Sequence, residues 1–195
     1  RKLDEVYKDL KKIDNNITFI SYPRWSLNDD NEEYFPLSGK SFSKTIFCNE
    51  NGYYSIYESD RYGFNNPDTE WDANKIEYLL LGDSFTHGAC VNRPDDIASV
   101  LRKLSGSSAI NLGMRGNGPL IELASLKEYL TNNTKKIIWI YFGGNDLVDL
   151  KSELENKLLL KYLSDDEFRQ NLSSKQSLID QNIVINLPKD NLPSI

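Results

Sequence analysis

Histidine and methionine are almost missing from this chain: among 195 residues there is one of each, His87 and Met114. Cysteine is scarce too, with only Cys48 and Cys90. Two cysteines are too few for a disulfide framework, and one histidine with two scattered cysteines makes no zinc pattern. No metal and no cofactor is therefore expected. A single Cys48–Cys90 bridge stays open as an alternative; the simpler expectation is two unpaired, partly buried thiols. Positive charge is in the minority, 23 Lys and Arg against 29 Asp and Glu, for a net charge of -6. That balance argues against nucleic acid or an anionic membrane surface as a partner. Long apolar runs are absent as well. None approaches the ~18 residues of a membrane-spanning helix, and no secretory leader is visible. The chain opens on Arg1 rather than Met, which leads us to expect an excised or processed piece.

What is present fits a globular protein: 39% hydrophobic and 27% charged residues, enough chain for one domain with an appendage. Arg1 to Asp14 reads as an amphipathic helix, with Leu3, Val6, Tyr7, Leu10 and Ile13 at helical spacing. Residues 15–70 are rich in Tyr, Phe, Asn, Ser and Gly and lack helical periodicity. Within them Ser43–Cys48 and Tyr53–Tyr57 flank Asn49-Glu50-Asn51-Gly52, a hairpin signal. From Ile76 the chain alternates. Strands are expected at 76–82, 108–112 and 136–142, and helices at about 95–105, from Pro119 to about Thr131, and at about 149–163. That order is the signature of a parallel, doubly wound sheet. We divide the chain into an N-terminal helix-and-hairpin appendage at 1–73, an α/β core at 74–163 and a tail or connector at 164–195. In the tail, 164–178 has a weak helical pattern and Ile183-Val184-Ile185 a short strand-like run.

Each core strand ends in a polar, glycine-containing turn: Gly82-Asp83-Ser84, Asn111-Leu112-Gly113 and Gly143-Gly144-Asn145-Asp146. In an open parallel sheet ligands sit beyond the carboxyl ends of the strands, so the three turns should share one rim. Ser84 would be exposed there as a nucleophile. Gly113 would offer a backbone N–H, and Asn145 a side-chain amide, to a developing oxyanion. Gly-Asp-Ser alone is a weak signal, and Thr86 breaks the Gly-x-Ser-x-Gly elbow pattern. The ordered triple of hydroxyl, glycine and asparagine is more specific.

On those residues the stretch from about 74 to 150 resembles the SGNH (GDSL-type) hydrolase and acyltransferase superfamily. The resemblance implies a three-layer α/β/α sandwich with a flavodoxin-like parallel sheet, its first strand lying between the second and third. It implies Ser84 as nucleophile and as a backbone donor, with Gly113 and Asn145 completing the oxyanion hole. The implied activity is that of a serine esterase or O-acyltransferase working through an acyl-enzyme on a small-molecule or glycan ester. The aromatic-rich region 19–64 would form a rim for that substrate. A bacterial cell-envelope or secreted setting is favoured over the cytoplasm. The family's Asp-x-x-His block is absent, and we expect it beyond Ile195. His87, three residues after Ser84, is expected to line or cap the site rather than act as base. The alternative from a different class is a non-catalytic module binding a glycan or acylated ligand. A third, a nucleotide binder, would draw on the glycines at 113–118, which lack the Gly-Lys-Ser/Thr ending of a phosphate loop.

Overall fold

The computed structural model describes residues 2–28, 33–50 and 52–183. The short strand suggested at 183–185 falls largely outside them. The described chain is mixed α/β, with seven α-helices and two small sheets that contain parallel pairs. Helix α1 (Leu3–Ile13) presents Leu3, Tyr7 and Leu10 to Ile17, Phe19 and Ile46. Strand β1 (Ile17–Phe19) pairs in parallel with β2 (Lys44–Ile46), which pairs antiparallel with β3 (Ile56–Glu58). The hairpin is the expected one. β1 was not expected: a three-residue strand in a tyrosine- and asparagine-rich stretch gives no period to read.

The second sheet holds the alternating part of the chain. It consists of β4 (Ile76–Leu81), β5 (Ala109–Asn111) and β6 (Thr134–Trp139), all parallel, in the order β5–β4–β6. β4 is thus central, and its Leu79, Leu80 and Leu81 are fully buried. The connections are helical. A short α2 (Ser84–His87) and α3 (Ile97–Ser105) join β4 to β5, and α4 (Pro119–Tyr129) joins β5 to β6. Pro119 opens α4 where its missing N–H costs nothing.

Beyond β6 the leucine spacing predicts one helix over 149–163. The structure has two, α5 (Asp146–Glu153) and α6 (Lys157–Ser164). The break has a local cause: the Asn156 side chain accepts the amides of Leu158 and Leu159 and starts a new helix. The leucines keep one apolar face through the break, which hides it from a periodicity reading. A 3₁₀ turn at Leu172–Lys175 and α7 (Gln176–Asn182) complete the described chain. No helix among the described residues is long and apolar enough to cross a membrane.

One buried cluster runs through appendage and core alike. Tyr22, Phe35, Leu37, Phe47 and Phe64 are continuous in it with Leu79, Ile110, Leu120 and Tyr162. The 60–71 loop is held by the buried carboxylate of Asp60, which accepts the amides of Tyr62 and Phe64, Asn66 Nδ2 and Trp71 Nε1.

Cys48 and Cys90 are joined in a disulfide, against the expectation of two free thiols. The pairing follows from packing. Phe47, next to Cys48, stacks on His87 at 4.6 Å, which brings the end of the hairpin strand onto the turn after α2. The bridge closes a span of 42 residues. Chain-entropy reasoning for a loop of that size gives about 4 kcal/mol of stabilisation. A Cys48→Ser/Cys90→Ser variant should have an unfolding free energy in urea about 4 kcal/mol below that of the oxidised wild type, and hence a lower midpoint. An unchanged midpoint would mean that packing alone fixes the two loops.

Candidate functional site

The turn after β4 shows what each residue of Gly82-Asp83-Ser84 does. Gly82 sits where a Cβ would lie 2.0 Å from Thr86 Oγ1 and 2.9 Å from the Ile140 carbonyl, so only glycine lets α2 and the end of β6 close in. Asp83 is buried and accepts the Phe85 amide at 2.9 Å, capping α2. Ser84, the first residue of α2, is then left half-exposed.

A cleft of about 790 Å³ opens at this rim, lined by Ser84, Phe85, Arg115, Phe142 and Asn145, with Cys48 of the hairpin at its wall. Phe85 and Phe142 meet at 4.9 Å between ring centroids and are both exposed, giving the mouth an apolar edge. Asn145 occupies the position just before α5 without a side-chain capping bond, and its Nδ2 donates instead to Asp149 Oδ2 at 2.8 Å. Its Oδ1 is buried and has no hydrogen-bond partner. Two of the three expected residues, Ser84 and Asn145, therefore line one cleft.

Gly113 lies just behind it. Its amide donates to Asn111 Oδ1 at 2.8 Å rather than facing open space. A Cβ at Gly113 would come within 2.6 Å of Thr86 Cβ and 2.7 Å of the His87 nitrogen. In this structure the glycine is a close-packing position beneath α2. Arg115 lines the cleft, with its guanidinium 5.5 Å over the Tyr22 ring.

His87 does not line or cap the cleft. Its ring is fully buried between Phe47 and Tyr57, with both nitrogens lacking partners. Burial pulls its pKa down to about 3, so the ring is neutral and cannot serve Ser84 as a proton acceptor from this place. Among the described residues no side chain is hydrogen-bonded to the Ser84 hydroxyl. Nor do they include a group of three or more His, Cys, Asp or Glu side chains that could hold a metal ion.

Residues that sequence reasoning passed over organise the site from below. Asn111 Nδ2 donates to the Thr86 carbonyl at 2.6 Å, fastening α2 to β5. Glu153 accepts the amides of Gly118, Leu120 and Ile121, anchoring the 113–118 loop and the start of α4 to α5. Arg24, on the 3₁₀ turn Pro23–Ser26, is ion-paired with Asp149. The i, i+4 spacing of Asn145, Asp149 and Glu153 on one helix was the available signal. Nothing local pointed to Arg24. No protein-family profile, curated protein or solved structure matches this chain.

Below Ser84 the structure buries several acids. Glu122 is almost fully enclosed and accepts Trp139 Nε1. Burial first, and the charges of Asp146, Glu153 and Asp83 second, push its pKa up to about 8. Burial and the Asp83 charge raise Asp146 as well. A carboxyl whose folded pKa exceeds its unfolded one holds its proton longer in the folded state. Its contribution is complete below the ordinary value of 4.5 and is lost as pH rises through about 8. Urea unfolding should therefore show a loss on the order of a few kcal/mol between pH 5 and 9, largely abolished in Glu122→Gln. Equal pH slopes in the two proteins would contradict a protonated Glu122. Gly113→Ala should also lower the unfolding midpoint, because the new methyl group must displace Thr86.

Proposed function

We propose that the cleft at Ser84 belongs to a serine esterase or O-acyltransferase of the SGNH type, acting on a small-molecule or glycan ester. The observation that carries the reading is the convergence of Ser84 and Asn145, from the ends of adjacent parallel strands, on one cleft with an apolar mouth. The strand order β5–β4–β6 supports it, since it is the order the resemblance implies. The finer architecture, a three-layer sandwich with a flavodoxin-like sheet, belongs to the same proposal.

In the reaction, the Ser84 oxygen attacks the ester carbonyl carbon and its proton passes to a general base. The carbonyl oxygen becomes an oxyanion. The Ser84 amide, which has no partner within the described chain, and the free hydrogen of Asn145 Nδ2 are suited to receive it. The third donor carried over from the family was Gly113. That amide is engaged by Asn111 Oδ1, which leaves Ser84 and Asn145 as the two donors of this reading. Collapse expels the alcohol, which takes a proton, and leaves the acyl group on Ser84. Water or a sugar hydroxyl then accepts the acyl group.

Among the described residues no base is hydrogen-bonded to the Ser84 hydroxyl, which favours a second reading, a module that binds an acylated ligand without turnover. Chemical rescue separates the two. General bases contribute ~100-fold or more, so added imidazole should raise p-nitrophenyl acetate hydrolysis by this chain, and Ser84→Ala should abolish that increase. A fluorophosphonate probe should label Ser84 and fail to label Ser84→Ala. Equal rescue and labelling in the two proteins would remove Ser84 as nucleophile.

A further inference from the structure

We infer that Arg24 and Asp149 form a positioning pair that holds the Asn145 carboxamide in its donating orientation, so that the N-terminal appendage is a working part of the site. The inference rests on the esterase or acyltransferase reading of the same cleft.

A carboxamide can present either its oxygen or its NH₂ group, and the two ends are similar in shape. A carboxylate removes the ambiguity, because it only accepts. Asp149 Oδ2 takes one Nδ2 hydrogen of Asn145 at 2.8 Å, which turns Oδ1 into the protein, where it is buried without a partner. The second Nδ2 hydrogen is the one available to a ligand.

Asp149 is itself nearly buried, with 9% of its side chain exposed. A carboxylate so placed needs charge compensation to stay ionised. Arg24 supplies it through Nη1 to Asp149 Oδ1, across 125 residues of sequence. The surroundings leave room for this pair. A Cβ at Gly118 would lie 2.9 Å from Asp149 Cβ, and one at Gly116 would lie 3.3 Å from Arg24 Cδ. Arg24 is 39% exposed, so its replacement removes a charge without opening the core.

The test has two independent readouts on Arg24→Ala, Arg24→Lys and Asp149→Ala. In ¹H–¹⁵N spectra, the two Asn145 side-chain amide protons of the wild type should be widely separated, one of them shifted by the Asp149 carboxylate. Asp149→Ala should collapse that separation, Arg24→Ala should reduce it and Arg24→Lys should largely keep it. In imidazole-rescued hydrolysis, Arg24→Ala should lower kcat by ~10-fold with KM within about twofold, less than complete loss of one oxyanion donor. Arg24→Lys should recover most of kcat. Unchanged Asn145 resonances in Arg24→Ala and Asp149→Ala, or an effect on KM alone, would overturn the inference. If Ser84→Ala leaves hydrolysis untouched, the esterase reading fails, while the spectra still judge the positioning of Asn145.

Discussion

The arrangement depends on the side chain of Asn111. At the end of β5 it donates Nδ2 to the Thr86 carbonyl and accepts the Gly113 amide, while its backbone N–H and C=O are both paired with the Asn66 carboxamide. One fully buried residue thus ties three pieces together: the helix that carries Ser84, the loop that leads to Arg115, and the appendage loop governed by Asp60. Such a network is costly if left incomplete, because each buried donor or acceptor without a partner loses its hydration for nothing. Its completeness fixes α2 against the sheet and thereby fixes where Ser84 points. The same bond takes the Gly113 amide out of reach of a ligand, so geometry at the rim is set by the network as much as by the motif residues.

Helix α5 acts as the second organising element. Its three buried acids each have a separate task. Asp146 accepts the Phe142 amide and closes the turn before the helix, Asp149 holds Asn145 and Arg24, and Glu153 caps α4. Acids buried this way are tolerated because amide dipoles or a guanidinium face them. Burial still pushes Glu122, Asp146 and Glu153 toward the protonated form, and Glu122 and Asp146 each keep one buried oxygen without a partner.

Much of the core was legible in the chain because its signals are local. The apolar runs of β4, β5 and β6, the Asp-rich start before α3 and Pro119 each announce an element within a few residues. So do the polar ends that place Ser84 and Asn145. The failures share one cause, dependence on distant partners. β1 exists only because β2 pairs with it. Cys48 meets Cys90 because Phe47 lies on His87. Gly113 loses its amide to a side chain two residues back, and Arg24 reaches Asp149 through the fold alone. β6 also begins and ends earlier than expected, since after Trp139 the chain leaves the sheet for the exposed turn that carries Phe142. His87 was expected at the rim from its position one turn after Ser84. A four-residue helix ending at Gly88 turns that face inward instead.

The outer edge of β6 bears on how the protein behaves in concentrated solution. Among the described residues this strand is paired only with β4, and Ile137 and Trp139 on it are exposed, as are Tyr141, Leu147 and Val148 in the segment that follows. An unpaired strand margin with such neighbours is a template onto which other polypeptides can add. Lys135, exposed at the head of that strand, puts a positive charge on the margin that opposes such addition, while Lys136 next to it is ion-paired with Glu77. That defence is electrostatic and weakens as ions screen it, so colloidal stability should decline with rising ionic strength.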